Sequence, residues 1–276
     1  MLDVLSYVTE KKAALKRRVD NHLQRGDHLR MAIITDDKNF SANASYIKSK
    51  TNFAMDIGVA CDVISLGPDD EMPNLEPYTG VIVQYPFRDL TFQLFREFVS
   101  KSVHREKDID GLGYDAMFSA CTPLGIVKYI DHLRKTEVLE EEITVNLIGY
   151  GGLIGKPLVE MLSFDPSITL CVTRSSTSEW VADNFKASAD VIICATPQPN
   201  LIKWTNHSKV YIDCGCALID GKLIGNVSRD CYGNDELITP VPGGVGRLTV
   251  VSLFENLLDA CHFQSVTKQL NNINLY

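Results

Sequence analysis

Short uninterrupted apolar runs alternate along most of this chain with longer stretches in which apolar residues recur every three or four positions. The first kind predicts buried strands and the second predicts helices packed by one face. Residues 1–20 mix Glu10, Lys11, Lys12, Lys16, Arg17 and Arg18 with scattered apolar residues, which predicts an amphipathic helix. Leu29 to Thr35 is a strand run that breaks into Asp36-Asp37-Lys38-Asn39. Ser41 to Asp56 has helical spacing and ends at Gly58, and Val59 to Leu66 reads as a second strand. A loop rich in proline and acids, 67–78, precedes a third strand over Gly80 to Gln84, closed by Tyr85-Pro86, and a helix over Thr91 to Ser100.

Beyond the polar loop 104–113, Thr122-Pro123 predicts a helix start, threonine as N-cap and proline in the first helical position, with the helix running over 125–133. Strands then fit 143–148, 168–173, 190–195 and 209–213, and helices fit 155–163 and 178–187. The pattern predicts an α/β protein, with a small parallel sheet in its first part and a second βαβ domain after it. Residues 240–246 hold two prolines and three glycines, which exclude helix and central strand, and an apolar helix follows over Val250 to Cys261.

Composition narrows the class. The 276 residues carry a net charge of -8, which argues against a nucleic-acid binder, whose footprint would be basic. No apolar run approaches the ~20 residues that span a bilayer, and the N-terminus lacks the apolar centre of a signal peptide. The eight cysteines form no C-x-x-C pair and have no histidine at metal spacing, so no metal is expected. Several fall in predicted strands as small buried hydrophobes, usage that suits a reducing cytoplasm.

The candidate chemistry starts at Val145 to Pro157, where a buried strand breaks into Gly149-Tyr150-Gly151-Gly152-Leu153-Ile154-Gly155 before a helix. Glycines at such a turn let the chain reverse sharply and let a pyrophosphate approach the N–H groups of the helix's first turn. The next strand ends in Arg174-Ser175-Ser176-Thr177, where an acidic residue would favour NAD. An arginine beside hydroxyls suits a 2′-phosphate and favours NADP. Elsewhere, Tyr46 and Lys50 lie four residues apart on one helix face, Gln84 ends a strand, and Asp110-Gly111 sits on a loop that could face it.

Together these pieces resemble the bifunctional methylenetetrahydrofolate dehydrogenase/cyclohydrolase family across nearly the whole chain and in the family's motif order. The matching motifs are Tyr46-x-x-x-Lys50, Val83-Gln84-x-Pro86, Lys107-Asp108-Ile109-Asp110-Gly111, Cys121-Thr122-Pro123-x-Gly125, the glycine loop with Ile154-Gly155-x-Pro157, and Thr239 to Gly246. The resemblance implies two α/β domains around a cleft. One comprises residues 1–122, completed by a C-terminal helix, 249–276, and carries folate; the other, 123–248, is a Rossmann-type domain for NADP, with NAD as the alternative. It implies oxidation of 5,10-methylenetetrahydrofolate and hydrolysis of the methenyl product to 10-formyltetrahydrofolate. Lys50, Gln84 and Asp110 would be the catalytic residues, with Tyr46 stacking on the folate rings. Pro242, Gly243 and Gly244 would approach the substrate, and Gly149 to Ile154 with Arg174 and Ser175 would hold the cofactor. The partners implied are tetrahydrofolate one-carbon derivatives and a second copy of the chain in a cytoplasmic homodimer, without nucleic acid or membrane.

The chain departs from the family pattern where Gly-Arg-Ser is usual and Gly149-Tyr150-Gly151 stands. Ala120 and Arg247 replace prolines, Gly225-Asn226-Val227 stands for Gly-Asp-Val, and residues 67–79 are too few for the helix usual there. Residues 36–44 keep only a blurred version of a Gly-Asp-Pro-Ala-Ser pattern. The alternatives are a monofunctional or NAD-dependent dehydrogenase, and a non-catalytic folate- or nucleotide-binding paralogue.

Overall fold

A computed structural model describes residues 1–204, 206, 209–233 and 237–273. Its first elements are α1 (Val4–Gln24), β1 (Arg30–Asp36), α2 (Phe40–Ile57), β2 (Ala60–Leu66), β3 (Gly80–Val83) and α3 (Phe92–Ser102). The three strands form one parallel sheet in the order β2-β1-β3. The central strand, β1, is buried from Met31 to Asp36, whereas the edge strand β2 is buried only at its last residue. Gly58 stops α2 in a left-handed conformation (φ 87°) that favours glycine, and its N–H returns to the carbonyls of Ala54 and Met55. Thr91 caps α3, its hydroxyl accepting the Leu94 N–H.

The chain continues through α4 (Cys121–Lys135), β4 (Ile143–Ile148), α5 (Gly152–Leu162), β5 (Ile168–Thr173), α6 (Glu179–Ser188), β6 (Val191–Cys194) and β7 (Val210–Asp213). It ends with β8 (Ala217–Ile219), β9 (Lys222–Ile224), a 3₁₀ turn (Arg229–Cys231), β10 (Leu237–Ile238) and α7 (Val245–Ile273). Five strands make a second parallel sheet, β10-β7-β6-β4-β5, with fully buried central strands β6 and β7. Such uniform burial is why these strands read as continuous apolar runs.

Two compact units result: Thr9–Cys121 with the chain from Val250 onward, and Met1–Val8 with Thr122–Thr249. We refer to them as the lysine unit and the glycine-loop unit. The first eight residues join the glycine-loop unit through the Leu2 N–H, which donates to the Ile238 carbonyl at 3.1 Å, and through Tyr7, whose ring meets Tyr129 at 5.2 Å. In both sheets the strand order reverses at the first strand: β2 and β3 flank β1, and β5 and β6 flank β4. Ligands of open parallel sheets lie beyond the carboxyl ends of the strands at such switch points.

Three expectations change. Helix α4 opens at Cys121, whose N–H is taken by the Asp110 carbonyl at 3.2 Å, so Thr122 lies inside the helix and caps nothing. Its hydroxyl instead lies 3.0 Å from that of Thr249. Helix α7 begins at Val245, inside the stretch expected to be non-helical, because its glycines and prolines are concentrated before that point, and it extends to Ile273. The two remaining additions, the β8–β9 hairpin and β10, have strands of three and two residues, too short to show a period; Asp220 and Gly221, both at positive φ, make the hairpin turn.

Candidate functional site

Within the lysine unit, α2 buries Asn43, Ile47, Lys50, Ala54 and Ile57, a stripe of three- and four-residue steps facing the core. Lys50 therefore occupies a position where amphipathic spacing calls for an apolar side chain, and it is 5% exposed. A buried ammonium is held only by compensating partners. The first is Gln84, just past β3, whose Oε1 accepts from Lys50 Nζ at 3.0 Å. The Gln84 amide donates through Nε2 to the Tyr85 carbonyl at 3.0 Å, which turns its oxygen toward the lysine. The second is Asp110, whose Oδ2 lies 3.5 Å from Nζ. An ammonium has three N–H donors and, among the described residues, these acceptors occupy two, leaving the third uncommitted.

Asp110 is placed by the loop around it. Asp108, 3% exposed, accepts the N–H groups of Gly111 at 3.1 Å and Gly113 at 2.8 Å, so its side chain staples the residues after Asp110. Burial pushes the Asp108 carboxyl up to about 6, with the negative Asp110 adding to the rise and the amide bonds opposing it. Asn256 on α7 donates Nδ2 to the carbonyls of Ile109 at 2.9 Å and Ser119 at 3.0 Å, clamping the loop at both ends. The Cys121 thiol donates to the Ile109 carbonyl at 3.1 Å. Burial holds that thiol well above its ordinary range, so it is a packing group here.

In the glycine-loop unit, β4 runs into Gly149, at φ 102°, and α5 starts at Gly152, at φ 75°. A Cβ on Gly149 would stand 2.5 Å from the Ala195 carbonyl oxygen beyond β6, and one on Gly155 would overlap the Gly149 and Tyr150 backbone. These two glycines are thus required by close packing of strand, loop and helix. At Gly151 and Gly152, by contrast, an added Cβ would meet nothing within 4 Å. The helix has no side-chain N-cap, so its first N–H groups and the open space above the two glycines form a cradle for an anion. The residues present fit a dinucleotide pyrophosphate. At the end of the neighbouring strand the Arg174 guanidinium lies over the Tyr150 ring, 4.2 Å from its centroid.

Of the residues expected from sequence, Lys50, Gln84 and Asp110 come together, and Gly149, Tyr150, Gly151, Gly152, Leu153 and Ile154 form one loop and helix start with Arg174 beside it. Tyr46, 43% exposed, lies one turn before Lys50, and Ser175 is exposed in the turn closed by the Thr177 N–H to the Arg174 carbonyl. Pro242, Gly243 and Gly244 precede α7 in the glycine-loop unit; Gly243 has φ 105°, and a Cβ on Gly244 would lie 2.5 Å from the Pro240 carbonyl.

Sequence reasoning gave no role to Asp108, although it stands in a matching motif, and passed over Asn256 and Asp213. The signals were an aspartate three and five residues before glycines, a polar residue inside an apolar helix run, and an acid ending a buried strand. Asp213 accepts the N–H groups of Gly215, Asn226 and Val227 at 2.8 Å each, organising the loops after β7. Spacing also missed His22, Asp27 and Cys261, which are distant in sequence. His22 Nδ1 lies 2.8 Å from Asp27 Oδ2 and 3.6 Å from the Cys261 thiol, while the Ser265 hydroxyl donates to Asp27, so the cluster satisfies itself.

The sequence profile of the family described as "Tetrahydrofolate dehydrogenase/cyclohydrolase, NAD(P)-binding domain" matches residues 120–265. The chain is 30% identical to the bifunctional protein FolD of Hydrogenobaculum sp. over 94% of its own length and 98% of that protein's. The crystal structure of bifunctional FolD from Campylobacter jejuni superposes with a TM-score of 0.75 at 25% identity, covering 94% of this chain and 97% of that one. A Trypanosoma brucei methylenetetrahydrofolate dehydrogenase-cyclohydrolase, solved with NADP and an inhibitor, shares the fold, with a TM-score of 0.77 at 21% identity and coverage of 96% and 98%.

Proposed function

This chain belongs to the tetrahydrofolate dehydrogenase/cyclohydrolase family, and on that premise we propose that it oxidises 5,10-methylenetetrahydrofolate and hydrolyses the methenyl product to 10-formyltetrahydrofolate. The observation that carries the reading is the buried Lys50, held by Gln84 and Asp110 from separate elements. A lysine is costly in a core-facing stripe, and three polar groups converging there serve chemistry better than packing.

The nicotinamide of a bound NADP supplies the acceptor for the hydride that leaves the one-carbon bridge. The chain's contribution to that step is placement, since hydride transfer calls for neither acid nor base. Gly149 to Ile154 would hold the pyrophosphate in the cradle above Gly151 and Gly152, and Arg174 with Ser175 would supply the charge and hydroxyl that favour a 2′-phosphate, and so NADP over NAD. Folate binds in the lysine unit. The Asp110 carboxylate accepts adjacent N–H donors of the pterin, and Tyr46 stacks on its rings. Pro242, Gly243 and Gly244 offer close backbone approach.

Hydrolysis adds water to the methenyl carbon, releases a proton, and breaks the bond from that carbon to N5, leaving the formyl group on N10. Lys50, an ammonium with one donor uncommitted, gives a proton to the departing N5 and regains one from the added water as its oxygen becomes the formyl carbonyl. Gln84 keeps the amine in place without adding charge.

A coupled assay with methylenetetrahydrofolate and each of NADP and NAD, following methenyl and formyl products separately, tests the assignment. Lys50→Met should abolish formyl production, a loss on the order of 100-fold or more, while some dehydrogenase activity persists. Equal loss of both activities would show that Lys50 holds the folate and moves no proton.

A further inference from the structure

The glycine loop contains a residue that pyrophosphate binding does not account for. Strands β4 and β5 pair with Ile148 opposite Thr173, so Tyr150 and Arg174 leave adjacent strand ends side by side. The Arg174 backbone is fixed: its N–H donates to the Thr177 hydroxyl at 2.9 Å, and the Thr177 N–H returns to its carbonyl at 3.0 Å. Its side chain is exposed, yet the guanidinium lies 4.2 Å over the half-buried Tyr150 ring.

Donor accounting separates this stack from others in the molecule. Arg96 lies over Tyr114 at the same 4.2 Å, but donates Nε to the Leu112 carbonyl and Nη2 to that of Gly113. Arg30 stacks on Tyr78 at 5.2 Å and pairs with Asp62. Among the described residues the Arg174 guanidinium donates to no protein acceptor and pairs with no carboxylate. Its face is covered and its N–H edge is left uncommitted, beside a cradle built for phosphates.

We propose that Tyr150 is a positioning residue for nucleotide selection, its ring holding the Arg174 guanidinium ready for the 2′-phosphate of NADP. The proposal rests on the NADP reading above. A planar fork matches phosphate oxygens with two parallel N–H bonds, but only from a restricted set of side-chain rotamers. An arginine loose on the surface loses that freedom on binding; one stacked on a ring has lost part of it beforehand. The ring face provides the hold, so the tyrosine hydroxyl is dispensable.

Calorimetric titration with adenosine 2′,5′-bisphosphate and with adenosine 5′-monophosphate isolates the 2′-phosphate as a ratio of two affinities. Affinity for the monophosphate reports a folded site in each variant. The wild-type protein should favour the bisphosphate, and Arg174→Ala should remove that preference. Tyr150→Ala should reduce it roughly three- to tenfold, appearing in turnover as a higher KM for NADP rather than a lower kcat. Tyr150→Phe should restore the wild-type ratio, and Tyr150→Ala should add no further loss in the Arg174→Ala background. A wild-type ratio in Tyr150→Ala, or a loss in Tyr150→Phe as large as in Tyr150→Ala, overturns the positioning role and leaves the NADP reading standing. A wild-type protein that binds both fragments equally overturns the NADP reading, and this inference with it.

Discussion

Asp108 gives the stability of the lysine unit a pH dependence opposite to that of most acidic groups. Its carboxyl is 3% exposed and, through burial first and the neighbouring Asp110 charge second, is raised from the ordinary 3.8 to about 6. An unfolded chain restores the ordinary value, so between pH 4 and 6 the folded state holds a proton that the unfolded state has released. Stability from this group is fully present below pH 4 and is lost as pH rises through 6. A gap of about two pH units corresponds to about 3 kcal/mol at ~1.36 kcal/mol per unit. Asp108→Asn cannot titrate. Its amide oxygen still accepts one of the Gly111 and Gly113 N–H groups, while the other loses its partner at a cost of ~1–3 kcal/mol, independent of pH. The difference in unfolding free energy between wild type and Asp108→Asn should therefore shift by about 3 kcal/mol in favour of asparagine between pH 4 and 7. Other titrating groups largely cancel in that difference. Trp180 and Trp204 both lie in the glycine-loop unit, so urea unfolding should be followed by circular dichroism together with exchange of the Gly111 and Gly113 amides. A difference flat to within ~1 kcal/mol across this range would refute a buried, proton-holding Asp108.

Three other substitutions test the packing around the two sites. In Gly155→Ala the new methyl overlaps the Gly149 and Tyr150 backbone, so α5 must move off the loop; NADP affinity should fall on the order of 100-fold in a fluorescence titration. In Gly151→Ala the methyl meets nothing within 4 Å and φ is an ordinary -78°, so stability should stay within ~0.5 kcal/mol. If the cradle holds a pyrophosphate as proposed, the methyl would take up part of its space, and NADP affinity should drop without a change in Tm. Asn256→Leu strips the clamp from the Ile109 and Ser119 carbonyls; thermal melts should show a loss of ~1–3 kcal/mol.

The legible part of the fold was its periodic part. Strands β4 and β5 have the limits that the apolar runs predict: β4 is buried almost throughout, and β5, half-buried at the edge of the sheet, still carries an apolar run bounded by turns. Helix α4 shows where pattern stops: Thr122-Pro123 has the composition of a helix start, but the first N–H groups go to whatever acceptor tertiary structure brings, here the Asp110 carbonyl. In the lysine cluster, the residue types were readable from motifs, but the spacing of Tyr46 and Lys50 alone did not distinguish Lys50 from a surface lysine; its place in a buried stripe is seen only in the structure. The supports were not readable, because a staple such as Asp108 and a clamp such as Asn256 act through backbone groups, which carry no residue identity. The stack of Arg174 on Tyr150 lay between these cases: both strand ends were predicted, but their registration, with Ile148 opposite Thr173, belongs to the sheet and not to either segment.

The lysine unit is discontinuous in sequence, and this makes the order of synthesis matter. Its three strands emerge early, yet Phe254, which stacks on Phe53 with centroids 4.9 Å apart, and Leu257, packed against Gly80, belong to α7. While residues 122–249 are being translated, the apolar surface around Phe53 and Gly80 waits on the ribosome without the helix that covers it. A chain released after residue 249 would already hold every strand of the larger sheet and would still present that surface to chaperones and proteases. Helix α7, translated about two hundred residues after Lys50, therefore decides when the nascent lysine acquires a finished core behind it.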